Sequence, residues 1–248
     1  MKRIQSELKR LIFISDLHLS AAEEEKTDIF LRFLQRLGTR DTALFILGDL
    51  FDYWIGDDDL NNPLHQSVTK ALARVGHSGI PVYIMGGNRD FLIGKELSRL
   101  TGTILLDEYT EIDIFGVKTL LCHGDQFCTE DVEYQQIREQ VRTDEWKRRF
   151  MELPIQERHK KAKRYRNLSE SKKEYKSQEI MDVSNDAVES EFRKRGCHRI
   201  IHGHTHRHAR HQHTIDNTVC ERFVLSDWDK KGQSLTFTET GYVDHFFD

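Results

Sequence analysis

Five short apolar runs, each ending in polar residues of one chemical type, limit what this chain can fold into more than any other feature. "LIFI" leads into Ser15-Asp16-Leu17-His18, "ALFIL" into Gly48-Asp49, and "VYIM" into Gly86-Gly87-Asn88-Arg89-Asp90. "KTLLC" leads into His123-Gly124-Asp125, and "RII" into His202-Gly203-His204-Thr205-His206. Runs of this length, bounded by turn residues, read as buried strands. Helical patterns from Asp28 to Leu37 and from Leu64 to Val75 lie between the early runs. The alternation predicts an α/β sheet covered by helices. In such sheets ligand sites form outside the carboxyl ends of the strands, and all five polar motifs fall there.

The length of 248 residues suits one large domain with an insertion. Residues 1–248 read as a single domain, and 130–195 as a helical insertion over the strand ends. Ile180, Val183, Ala187, Val188 and Phe192 give the insertion an apolar stripe at helical spacing. Arg158, Lys160, Lys161, Lys163, Arg164, Arg166, Lys172, Lys173 and Lys176 give it a basic block. After His213, "ERFVLSDW", "SLTFTET" and "YVDHFF" alternate as strands, and a hairpin or meander completing a second sheet is expected. No apolar run approaches the roughly 20 residues of a spanning helix. The charged start "MKRIQSELKRLIFIS" has too short an apolar run for a signal-peptide core, so a cytoplasmic location is expected. Cys122, Cys128, Cys197 and Cys220 show no CxxC spacing and read as reduced thiols. A net charge of -4 argues against a nucleic-acid partner.

The stretch "IIHGHTHRHARHQH" holds six histidines in fourteen residues. Two of them join a wider set: Asp16, His18, Asp49, Asn88, His123, His204 and His206. Two carboxylates, one amide oxygen and four imidazoles suit manganese, iron or zinc. The lack of a thiolate argues against a structural zinc site. Seven donors exceed one tetrahedral site, whereas two ions sharing a carboxylate would use them. Two such ions about 4 Å apart can bind a phosphoryl oxygen and lower the pKa of a water. Strand alternation should point Asp16 and His18 the same way, and likewise His204 and His206. Gly48, Gly87, Gly124 and Gly203 relieve crowding where the backbone turns beside a donor. Taken singly, Gly-Asp and "GNRD" are turns; their joint order at strand ends carries the metal reading. His202, His208, His211 and His213 read as surface or supporting groups.

The series "DLH … GD … GNRD … HGD … GHTH" resembles the calcineurin-like metallophosphoesterase superfamily. That resemblance implies a two-sheet α/β sandwich with a dinuclear metal site. Asp16, His18, Asp49 and His206 would surround one ion; Asp49, Asn88, His123 and His204 the other, with Asp49 bridging. Asp49, Asn88, Arg89 and His123 are the expected catalytic residues. Most of the superfamily has a histidine in place of Arg89, and it helps the leaving oxygen depart. An alkoxide leaving group needs a proton; a phosphate monoester, with a second pKa of about 6, does not. Arg89 therefore points to pyrophosphate cleavage, with its guanidinium gripping phosphate oxygens.

Longer segments, "LFDYWIGDDDLNNPLH", "GNRDFLIGK", "HGDQFCTED", "KSQEIMDV" and "HGHTHR", resemble the UDP-2,3-diacylglucosamine hydrolase family. The likeness runs from about Leu11 nearly to the C-terminus. It implies manganese-dependent attack of water on the α-phosphorus of a UDP-linked diacylglucosamine. The products would be UMP and 2,3-diacylglucosamine 1-phosphate, in lipid A synthesis. The enzyme would be peripheral on the cytoplasmic face of the inner membrane. Asn88, Arg89, Asp131, Ser169, Lys176 and His204 would contact substrate, with Lys173 standing where the family carries an asparagine. "VLSDWD" departs from the family's small-residue–Trp–His pattern around Trp228. Phe91, Leu92, Tyr134, Ile137, Phe150, Met151, Leu153 and Ile155 are candidates to line an acyl-chain groove. The basic block would face anionic headgroups, at about 1 kcal/mol per cation. One competing reading is a metallophosphoesterase for another nucleotide diphosphate or a phosphodiester. Another is a non-catalytic scaffold, which would be expected to have lost donors.

Overall fold

Successive residues of a strand face opposite ways, and here both faces of the central strands are buried. The computed structural model describes residues 8–38, 40–60, 62–173, 180–229 and 231–248, excluding the side chains of 170, 172 and 173. The chain begins β1 (Arg10–Ile14), α1 (Glu24–Gln35), β2 (Thr42–Leu47), α2 (Pro63–His77), β3 (Val82–Met85), α3 (Lys95–Thr101), β4 (Ile104–Leu105), β5 (Tyr109–Ile114) and β6 (Val117–Cys122). It continues α4 (Val132–Arg142), α5 (Asp144–Met151), α6 (Ile155–Lys173), α7 (Asn185–Arg195), β7 (Arg199–His202), β8 (Ala209–Ile215), β9 (Thr218–Val224), β10 (Gly232–Thr238) and β11 (Gly241–Phe247).

The strands form two mixed sheets, ordered β11-β10-β1-β2-β3-β4 and β5-β6-β7-β9-β8. Phe13, Phe45, Leu47, Tyr83 and Met85 of the first sheet meet Ile112, Ile114, Leu121, Ile201 and Phe223 of the second. Phe45 stacks on Phe13 at 4.8 Å and on Tyr83 at 4.5 Å, tying three parallel strands across this inner core. The intervening residues Ile12, Ile14, Leu44, Ile46, Val82 and Ile84 face outward, against Phe30, Leu34, Val68, Leu72 and Leu97 of α1–α3. On the second sheet, Leu120, Cys122 and Ile200 are covered by Val188 and Phe192 of α7. The layers therefore run helix–sheet–sheet–helix, the α/β sandwich expected. Val183, Ala187, Val188 and Phe192 of the predicted apolar stripe pack there, while Ile180 is exposed.

The carboxyl-terminal strands depart from expectation. β9 does lie in the second sheet, but the β10–β11 hairpin joins the first, with β10 antiparallel to β1. The cause is packing after β9. Trp228 is buried against Phe30 and Phe33 of α1 and against Phe247, on the outer face of the first sheet. Its burial carries the chain across the sandwich. β8, within the histidine-rich stretch, was not anticipated. It is an edge strand with few buried residues, held by pairing to β9. The four cysteines are buried free thiols. Among the described residues no helix is long and apolar enough to cross a membrane.

The aromatic stack makes a stability prediction. Phe45→Ala should cost about 3–5 kcal/mol, read as a lowered urea midpoint with an unchanged slope.

Candidate metal centre

β1, β2, β3, β6 and β7 end side by side, and the seven expected donors follow their last residues. Asp16, His18, Asp49, His204 and His206 all hold left-handed backbone, with φ between 51° and 69°. Left-handed non-glycine residues cost on the order of 1–3 kcal/mol each and cluster at functional sites. Asp16 and His18 lie beyond β1, so these turns, not the expected strand alternation, bring both side chains inward. A Cβ on Gly87 would overlap Asp49, and one on Gly203 would overlap Asp16 and Ser15, so glycine is required at both positions.

Two sub-clusters result. In one, His206 Nε2 lies 3.4 Å from Asp16 Oδ1 and 3.1 Å from His18 Nε2. In the other, Asn88 Oδ1 lies 2.9 Å from both His123 Nε2 and His204 Nδ1. Asp49 stands between them, Oδ2 at 3.7 Å from His18 Nδ1 and Oδ1 at 3.6 Å from His123 Nε2. One carboxylate there reaches toward both sub-clusters. Asp16, His18 and His206 converge closely enough to share an ion, as do Asp16, Asp49 and His123.

The chemistry of the cluster fits divalent cations. Asp16 Oδ1 and His18 Nδ1 are buried without a hydrogen-bond partner. His123 Nδ1 faces Leu47 O at 2.9 Å, which leaves Nε2 to present its lone pair to the cluster. Burial pushes the Asp49 carboxyl up and the His18 imidazole down. For Asp16 burial opposes charge, but His206 outweighs it and holds the carboxyl well below the usual range. For His206 burial is again outweighed, by Asp16 and Asp227, and its pKa rises to about 10. His123 is likewise raised, burial yielding to Asp49 and Asp16. The site thus draws positive charge onto His123 and His206, a demand that bound divalent cations would meet.

Arg89 follows Asn88. Its N–H donates to Asp49 Oδ1 at 2.9 Å, its Nη1 to Asp52 Oδ1 at 3.1 Å, and its Nε lies 3.6 Å from Asp49 Oδ2. Arg166 of α6 reaches the same Asp52 oxygen at 2.5 Å, placing two guanidiniums beside the cluster. Arg166 was expected only as part of a basic block; its partner Asp52 is 114 residues away. Asp131 caps α4 by accepting from Tyr134 N–H at 3.1 Å. Ser169 is exposed on α6, Lys173 is the last residue of that helix, and Lys176 lies outside the described residues. Phe150 is buried, whereas Ile137, Met151 and Ile155 are exposed on α4–α6. Of the remaining histidines, His202 is buried, Nδ1 to Gly203 O and Nε2 to Arg222. His208 pairs with Asp244, His213 faces Glu189, and His211 is exposed.

Asp90 was not singled out either. Its wholly buried carboxylate accepts from the N–H groups of Asp49, Leu50, Phe51 and Gly87, at 2.7–3.3 Å, tying the loops after β2 and β3. Burial and then the Asp49 charge raise its pKa to about 6. Asp90→Ala would strand those donors at about 1–3 kcal/mol for each left unsatisfied. A drop of more than about 3 kcal/mol in urea unfolding is expected, with reduced metal content in the purified protein.

The family model for calcineurin-like phosphoesterases matches residues 9–208. A UDP-2,3-diacylglucosamine hydrolase of Serratia proteamaculans is 44% identical over 224 residues, 90% of this chain and 93% of the relative. Relatives of the same name from Aeromonas salmonicida and Haemophilus influenzae are 42% and 43% identical, covering 90% and 92% of this chain and 88% and 94% of their own. The chain belongs to the calcineurin-like phosphoesterases and, within them, to the UDP-2,3-diacylglucosamine hydrolase family.

Proposed function

We propose that this chain hydrolyses the pyrophosphate of UDP-2,3-diacylglucosamine, the compound for which its relatives are named, to UMP and 2,3-diacylglucosamine 1-phosphate, as a step of lipid A synthesis. The observation that carries the reading is Arg89: it occupies the position next to Asn88, with its guanidinium held by Asp52 beside the donor cluster. Divalent ions, proposed to be manganese, would be held by Asp16, His18, Asp49 and His206 and by Asp49, Asn88, His123 and His204, and would polarise phosphoryl oxygens and acidify a water. Arg89 and Arg166 bind the phosphates, and Asp52 orients both guanidiniums for bidentate contact. No protein group has to protonate the leaving phosphate, which is stable as an anion at neutral pH. His123 is kept in one ring orientation by Leu47 O, and Asn88 turns its amide oxygen toward both His123 and His204.

Asp131, Ser169, Lys173 and Lys176 are the further substrate contacts that the family resemblance implies within the insertion, 130–195. Exposed Ile137, Met151 and Ile155 on that insertion supply apolar surface for the acyl chains. Lys160, Lys163, Arg164, Asn167, Leu168 and Ser171 share one face of α6. This basic side supports a peripheral seat on an anionic cytoplasmic membrane face.

Metal-stripped protein in detergent micelles tests the reading. Added manganese should restore UMP release from UDP-2,3-diacylglucosamine, but not from UDP-N-acetylglucosamine. Bis(p-nitrophenyl) phosphate should remain a poor substrate. Cleavage of the simple ester with the acylated sugar nucleotide untouched would remove the lipid A assignment. Arg89→Ala should lower kcat/KM about 100-fold or more while metal content holds.

A further inference from the structure

The segment Ser226-Asp227-Trp228-Asp229, which departs from the family pattern, has no part in the chemistry above. It is fastened to the same strand ends that carry the donors. Leu225 N–H donates to His202 O at 2.8 Å, and Trp228 N–H to Asp16 O at 3.2 Å. The buried Trp228 ring donates through Nε1 to Gln233 O at 3.1 Å, and Ser226 N–H to Gln233 Oε1 at 3.3 Å. Between these anchors the Asp227 carboxylate is aimed at one group. Its Oδ2 lies 3.2 Å from His206 Nδ1, and its Oδ1 accepts from the Ser226 hydroxyl at 3.4 Å. The other nitrogen of His206 faces the cluster, toward Asp16 and His18.

An imidazole with its outer N–H on a carboxylate is held in one tautomer and one orientation, and its inner nitrogen becomes a better donor. His123 has a neutral backbone carbonyl, Leu47 O, in that outer position. For His206 the outer partner is an anion, the stronger acceptor. We propose that Asp227 is a positioning residue of the metal centre, a carboxylate that fixes His206 and tightens the hold on the ion shared with Asp16 and His18. The inference rests on the reading of His206 as a metal ligand.

Binding of manganese to the full-length metal-stripped chain, followed by calorimetry and by the spin-resonance signal of free Mn²⁺, tests it without any substrate. Wild type should take up two ions. Asp227→Ala should weaken one of them about 10- to 100-fold and leave the other within about twofold. Asp227→Asn, whose amide oxygen still accepts a hydrogen bond, should fall between. Glu189→Ala, which removes the carboxylate 3.6 Å from His213 Nδ1, should bind both ions as wild type does. Should Asp227→Ala fail to fold, as judged by its melting in EDTA, the Asn variant decides by itself. Wild-type constants in a folded Asp227 variant, with wild type fully loaded, would overturn the role of Asp227 alone. A wild-type chain that takes up no manganese would overturn it together with the metal-centre reading.

Discussion

Two buried carboxylates, Asp16 and Asp49, set the condition that the surrounding structure meets. Neither is more than 1% exposed. An ionised carboxylate withdrawn from water costs several kcal/mol unless compensated. Compensation here comes from the imidazoles of His18, His123 and His206, from Arg89, and from backbone N–H groups: His204 onto Asp16 and Arg89 onto Asp49. Bringing these partners inward requires the left-handed turns at the strand ends. Those turns are stable because the inner core beneath, around Phe13, Phe45 and Tyr83, leaves the strands no freedom to relax. Stability and chemistry are thus divided along each strand, the pleated part packing and the last residues gathering charge.

The parts legible in the sequence were those that local pattern determines. A short apolar run that stops abruptly at Asp, Asn or His marks both a buried strand and the donor at its end, and five such runs located the site. What escaped was set by contacts between distant residues. The sheet joined by the last hairpin depends on Trp228 entering the apolar layer under α1. β8 carries little apolar signal because its neighbour supplies the pairing. Arg166, Asp90 and Asp227 act through partners between 21 and 114 positions away, such as Asp52, Asp49 and His206, and no spacing rule reaches so far. The left-handed donors are a subtler case. Their inward direction was expected from strand pleating, but their conformation follows from the crowding of five chain ends, eased where Gly87 and Gly203 lack a side chain.

α4 and α6 are joined to the sandwich largely by arginines. Arg138 and Arg142 of α4 converge on buried Asp125 and on Glu108, and Arg142 also donates to Gly87 O, beside Asn88. Arg158 of α6 is only 2% exposed; it donates to Ile55 O and Leu153 O and pairs with Asp58. Guanidinium groups suit this task because their planar, fixed donors reach several acceptors at once without losing charge.

The buried Arg158 sits near the start of a 19-residue helix. From it to Lys173 the helix rises about 22 Å. That makes α6 a lever with its fulcrum at the sandwich. A tilt of about 5° at the fulcrum moves the far tip by about 2 Å, close to the difference between a formed and a broken hydrogen bond. The placing of the tip is therefore set by the packing around Arg158 and by the Asp52 contact of Arg166 partway along the helix. Small volume changes near Ile55 or Leu153 would shift that distal end, with the residues at the strand ends left in place.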